Sequence, residues 1–122
     1  MYEVRHETTV AASHQLRAAP GEGERLHGHN WTIVAYVRSD AVDARGMVVD
    51  FGDLEAELRR IVLPYEHAHL NEIAPYGEVN PTAENVARVV ADALAARMDD
   101  ARVRVHRVEV WETERCAAVY LR

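Results

Sequence analysis

The run Leu26-His-Gly-His-Asn-Trp-Thr-Ile-Val-Ala-Tyr-Val-Arg38 alternates, with Trp31, Ile33, Ala35 and Val37 on one face and Thr32, Val34 and Tyr36 on the other. Period-two alternation rich in β-branched and aromatic residues predicts a strand. Apolar side chains on both faces mean a strand covered on both sides or buried in an oligomer. Residues two apart in a strand point to the same side, so His27 and His29 can converge on one ion.

The preceding segment, Tyr2 to His14, is also rich in β-branched residues and is expected to be a strand. Ala18 to Glu24 holds Pro20, Gly21 and Gly23 and is expected to be a loop. A hairpin return would then set His14, at the end of the first strand, beside His27. Three histidines with an open fourth position suit a catalytic zinc site. Two exposed strand histidines are the plainer explanation of His-x-His alone, and the third histidine at the matching position shifts the balance toward a metal.

After a turn at Arg45-Gly46, Phe51, Leu54, Leu58, Ile61 and Val62 recur with helical period, and Pro64 stops that helix. Asn71 to Asn80 is a loop. A second helix is expected from Asn80-Pro81-Thr82, where Asn or Thr can cap and Pro suits the first turn, with an apolar stripe of Val86, Val89, Val90, Ala93 and Leu94. Strands over Val103–Trp111 and Ala117–Leu121 complete the chain. The order strand, strand, helix, helix, strand, strand predicts one α+β domain over residues 1–122 with an antiparallel sheet.

Composition narrows the function classes. A chain of 122 residues with 48% hydrophobic and 28% charged residues builds a core and is not disordered. The net charge of −6 opposes a nucleic-acid surface, which needs clustered positive charge. No apolar run approaches the ~18 residues of a membrane span. All 14 basic residues are Arg, so a Schiff-base lysine is excluded. A single cysteine, Cys116, makes no intrachain disulfide, reads as a small buried residue and fits a reducing, cytoplasmic setting.

Three acidic or imidazole groups remain. Glu66-His67 could pair for proton transfer, His67 and His69 could form a second metal pair, or all three could belong to a polar loop after a helix, which is the plainer explanation. Glu112, after Trp111 at a strand end, could be solvated or could accept two hydrogen bonds from a planar N–H/NH₂ edge.

Together these motifs resemble the 6-pyruvoyl-tetrahydropterin synthase and 6-carboxy-tetrahydropterin synthase family. Val10-Ala-Ala-Ser-His14 is similar to its F-x-A-x-H motif, Leu26-His-Gly-His-Asn30 to L-H-G-H-N/S, and Gly46-Met-Val-Val-Asp-Phe51 to G-M/W-V-x-D-F. Glu66-His67 with Leu70-Asn71 resembles D-H-x-x-L-N, Asn80-Pro-Thr-Ala-Glu-Asn85 resembles N-P-T-A/S-E, and Glu112-Thr113 with Tyr120 resembles the E-T…Y terminus. The matches run in order across nearly the whole chain.

The resemblance implies the tetrahydrobiopterin-synthesis-type fold, a four-stranded antiparallel sheet with two helices on one face. It implies trimers closing into barrels and stacking as a homohexamer, with active sites between subunits. It implies zinc on His14, His27 and His29, 7,8-dihydroneopterin triphosphate as substrate, Glu112 anchoring the pterin, and Thr82 and Thr113 in the pocket wall. The family's general-base cysteine position is Gly23 here, and the Asp of its Asp-His pair is Glu66. Glu24-Arg-Leu-His-Gly-His29 resembles a subgroup in which a glutamate replaces that cysteine and side-chain cleavage yields 6-hydroxymethyl-dihydropterin. The expectation is therefore a zinc-dependent pterin lyase with Glu24 as base and Glu66–His67 as acid/base pair. The alternatives are that cleavage, a different pterin or deazapurine precursor, or a pterin-binding homologue without the family activity.

Overall fold

The computed structural model describes residues 1–18 and 24–122. Gly23, where the resemblance leads one to expect a cysteine, lies outside the described residues. Strand β1 (Tyr2–His14) and strand β2 (His27–Ser39) form a long antiparallel hairpin in which His14 faces His27 across the register. Helices α1 (Phe51–Val62) and α2 (Ala83–Met98) follow, separated by a two-residue strand β3 (Ala68–His69) between 3-10 turns at Leu63–Tyr65 and Leu70–Glu72. Strands β4 (Arg104–Trp111) and β5 (Ala117–Leu121) close the chain. No helix among the described residues is long and apolar enough to cross a membrane.

The sheet order is β3-β1-β2-β4-β5. Four strands are antiparallel neighbours, as expected, and β3 is an addition that corrects the expected count to five. It pairs parallel with β1 through Ala12↔Ala68 and Ser13↔His69. Two residues carry no period, so this strand is set by its contact with β1 and not by its own sequence.

Both helices cover one face. Val10, Ala12, Trp31, Ile33, Ala35, Val37, Val105, Val108 and Val110 point into a core with Leu54, Leu58 and Val62 of α1 and Val86, Ala87, Val90, Ala91 and Leu94 of α2. Such burial, at roughly 25 cal/mol per Å² of apolar surface, is the main stabilising term. A bulge sets His106 between the pairs Tyr36↔Arg107 and Val37↔Val105, so Val105 and Val108 both reach the core despite their odd spacing. Three expected core residues are displaced: Phe51, at the first position of α1, is exposed, and the buried stripe of α2 runs through Ala87 and Ala91 in place of Val89 and Ala93. Small alanines let the helix sit close to the sheet.

Among the described residues the opposite face has no helix. Val34 is buried there beside Glu7 and Glu109, its cross-strand neighbours. The Arg107 guanidinium lies 4.7 Å from the centre of the Tyr36 ring, Glu109 accepts from Trp111 Nε1 at 3.0 Å, and Arg107 pairs with Glu109. Much of the apparent second apolar face of β2 is thus covered by long polar side chains of β1 and β4.

Candidate metal centre and its surrounding clefts

The hairpin register brings the ends of β1 and β2 together, and alternation turns His14, His27 and His29 to the helix side. One ligand nitrogen from each lies within 4.8 Å of the others. His14 is fully buried and His29 largely so. Trp31, on the same face of β2, donates its indole N–H to Ala12 O at 3.1 Å and meets the His14 and His29 rings edge-on, at 4.7 and 5.5 Å between centres. A buried aromatic wall of this kind fixes ring orientation.

Outer hydrogen bonds set the tautomers. His14 Nδ1 is 2.8 Å from Pro81 O, and His27 Nδ1 is 2.8 Å from Arg25 O. A carbonyl oxygen only accepts, so each Nδ1 carries the hydrogen and each ring turns its Nε2, the atom a metal would take, inward. Yet the two Nε2 atoms are 3.0 Å apart, and His29 Nε2 is buried with no hydrogen-bond partner among the described residues. Two facing lone pairs and an orphaned buried nitrogen cost energy unless a shared electrophile satisfies them. Burial holds the His29 imidazole below the usual histidine range; Glu112 opposes this, and the His27 and His14 rings reinforce it. Neutral imidazoles held by carbonyls are what a metal ligand set requires. The three residues fit a metal.

Two carboxylates border the cluster. Glu24 Oε1 lies 3.6 Å from His27 Nε2 and 3.9 Å from His14 Nε2. Glu112 reaches His14 Nε2 at 3.7 Å and His29 Nε2 at 3.9 Å. Glu112 also lines a cleft of about 390 Å³ with Thr82, Leu16 and Cys116, whose walls are otherwise mostly small. Thr82 there serves as N-cap of α2, its hydroxyl accepting from Asn85 N at 3.1 Å. Thr113 lies elsewhere, along a second cleft on the helix-free face that also touches Glu112. Its hydroxyl accepts from the Arg115 and Cys116 N–H groups within the β4–β5 turn. Cys116 is exposed, not buried as its residue type suggested, because that turn carries it to the rim.

Among the described residues Glu66 makes no ion pair with the three imidazoles, while His67 and His29 both line a shallow cleft along the β1 edge. Glu66 Oε1 accepts from Ala11 N at 3.0 Å and lies 3.5 Å from His67 Nε2. His67 stands at φ 55, in the left-handed region, and its imidazole is 83% exposed off the β1 edge. Such a backbone is unusual outside glycine and marks a constrained position.

Sequence inspection missed the residues that hold the ligand loop. Beyond His14 no strand pairs with the chain among the described residues, and two asparagine side chains act in its place. Asn71 accepts from Gln15 N at 2.9 Å and donates to Gln15 O at 2.7 Å. Asn80 does the same for Arg17, at 2.8 and 2.9 Å. Both asparagines stood in the motifs quoted above, but their partners are 56 and 63 residues away.

The family model for 6-pyruvoyl tetrahydropterin synthase matches residues 3–122. Among curated proteins, the chain is 36% identical to the 6-carboxy-5,6,7,8-tetrahydropterin synthase of Synechocystis sp., covering 98% of this chain and 93% of that one. Among solved structures, a Caenorhabditis elegans 6-pyruvoyl tetrahydropterin synthase superposes with a TM-score of 0.85 at 20% identity, covering 99% of this chain and 95% of that one. A Plasmodium vivax 6-pyruvoyltetrahydropterin synthase, a catalytic-residue mutant with glutamate replaced by alanine, gives a TM-score of 0.81 at 17% identity, covering 99% and 97%.

Proposed function

Since the chain belongs to the 6-pyruvoyl tetrahydropterin synthase family, we propose that it is a cytoplasmic zinc-dependent lyase acting on 7,8-dihydroneopterin triphosphate or a related pterin. The observation that carries this reading is the convergence of two carboxylates, Glu24 and Glu112, on three inward-facing imidazoles.

In this reading His14, His27 and His29 hold the zinc. When bound, zinc acts as a Lewis acid that orients and acidifies the hydroxyls of the pterin side chain. Glu112 binds the planar N–H/NH₂ edge of the ring, because an ionised carboxylate accepts two parallel hydrogen bonds. Thr82 sits in the cleft wall at the start of α2, and Thr113 steadies the turn that presents Glu112. Glu24 takes the proton from the side chain, a role supported by its position beside the cluster and by the glutamate named as a catalytic residue in the Plasmodium vivax protein. Glu66 and His67 return a proton as an acid/base pair. Since His67 faces solvent in the single chain, the pair works across a subunit boundary, in a homohexamer whose open sheet edges join.

Incubation of zinc-loaded protein with 7,8-dihydroneopterin triphosphate, followed by mass spectrometry, tests the reading. A 6-pyruvoyl or 6-carboxy product supports the activity for which the relatives are named. A 6-hydroxymethyl-dihydropterin product assigns side-chain cleavage instead. Tight pterin binding without turnover would leave a binding protein and refute the lyase.

A further inference from the structure

Resting on the reading of Glu24 as base, we infer that Gln15 is a positioning residue that sets the distance between the Glu24 carboxylate and the metal ligands. Among the described residues, the one hydrogen bond that holds residue 24 is donated by Gln15 Nε2 to the Glu24 carbonyl oxygen, at 3.2 Å. The Glu24 side chain itself makes no hydrogen bond among the described residues and only approaches two imidazoles at 3.6 and 3.9 Å. A base must stand within a narrow range of the proton it takes, and small misplacements are costly in rate. Something must therefore locate its backbone.

Gln15 is suited to this because its own backbone is immobilised. Both its N–H and its C=O are taken by the single carboxamide of Asn71, and two residues on Arg17 is taken in the same way by Asn80. The asparagines are anchored in turn. Asn71 follows Leu70, which is buried, and the Asn80 carbonyl accepts from Asn85 Nδ2 of α2 at 2.9 Å. Gln15 is thus a short amide-tipped arm on a fixed rail, one residue from His14, reaching across to the residue three before His27. The arm needs a donor at its tip, since its target is a carbonyl. Glutamate in its place keeps the length and loses the donor, alanine loses both, and lysine restores a donor. Gln15 is exposed, so its replacement leaves the core and the three histidines intact.

The test uses the full-length, zinc-loaded protein carrying Gln15→Glu, Gln15→Ala or Gln15→Lys, alone and combined with Glu24→Gln. Gln15→Glu and Gln15→Ala should each lower kcat on 7,8-dihydroneopterin triphosphate about fivefold, the rate equivalent of about 1 kcal/mol for one net hydrogen bond. KM, zinc content and unfolding midpoint should not move, and Gln15→Lys should recover most of the rate. In the Glu24→Gln background the Gln15 substitutions should have no further effect, since they act through the removed carboxylate. Independently of turnover, amide hydrogen exchange at Arg25 and Leu26 should accelerate in Gln15→Ala while that of Trp31 stays unchanged. Wild-type exchange at Arg25 in Gln15→Ala, or undiminished Gln15 effects in the Glu24→Gln background, would overturn the inference. Glu24→Gln with wild-type turnover would instead remove the base itself, and a Gln15 effect on rate that survived would then belong to another group.

Discussion

The Nδ1 atom of His14 lies 2.8 Å from the carbonyl oxygen of Pro81, so a candidate metal ligand at the end of β1 is oriented by the residue just before the α2 cap. Thr82, next in the chain, closes that cap through Asn85 N. Thr82→Ala should cost about 1 kcal/mol of stability, the usual value for a lost N-cap, and Thr82→Ser should restore it. Urea unfolding measures the loss. Zinc competition with a chromophoric chelator should show weaker binding in the alanine variant, because the His14 carbonyl partner is loosened.

Zinc itself should stabilise the fold. At a hundredfold excess over its dissociation constant, a ligand bound only to the native state adds about 2.7 kcal/mol. Thermal unfolding with zinc and with a chelator should therefore differ by roughly 10 °C for a chain of this size. His29→Ala should abolish most of that difference, and an equal response in the variant would remove His29 from the ligand set.

For Glu112, the glutamine substitution preserves size and exchanges one acceptor oxygen for a donor. Pterin affinity, measured by fluorescence titration, should weaken at least about tenfold, or ~1.4 kcal/mol. Unchanged affinity would return Glu112 to the role of a strand-end carboxylate near the histidines.

Glu109, on the helix-free face, predicts a pH dependence remote from the metal. Burial pushes its carboxyl up, but hydrogen bonds from Trp111, Tyr36 and Arg107 outweigh this and hold it below the usual glutamate range. A depressed folded pKa stabilises the native state above the unfolded pKa, near 4.5, and that contribution vanishes as pH falls through the folded value. The stability gap between wild type and Glu109→Gln should be largest near neutrality and should shrink below about pH 4.5 in denaturant titrations.

Assembly is a further expectation. β5 is one outer edge of the sheet, and beyond the two residues paired with β3 most of β1 is open on the other. Unpaired strand edges favour pairing with another chain. Light scattering at micromolar concentration should report a hexamer, and a monomer mass would overturn this expectation.

The sequence made the sheet legible because β1, β2, β4 and β5 carry their own period and end in turn residues. β1 and β5 begin and end where the alternation does. The cluster of His14, His27 and His29 was legible for the same reason, since strand spacing and hairpin register fix which residues meet. β3 was hidden because two residues have no pattern, and the exposure of Phe51 because the helical period says nothing of where a helix end meets solvent. The asparagine rails and the Pro81 carbonyl were hidden by separation: each is a contact between segments more than 50 residues apart, and the bonding atoms on one side are backbone. The carboxylates divide likewise. Glu24 is placed by its nearness in sequence to His27, but the exposed, left-handed setting of His67 could only come from coordinates.

The rail at Gln15 and Arg17 has a further consequence for how this chain can change. His14 is fixed by its strand and by Pro81, Gln15 and Arg17 by the asparagines, and Glu24 rejoins the framework through one carbonyl. The stretch from residue 18 to residue 23 is therefore bracketed by anchored chain on both sides. Doubling the length of a closed loop costs only about 0.6 kcal/mol. Changes of length between Arg17 and Glu24 therefore cost little, while the hairpin pairing keeps the three imidazoles in register.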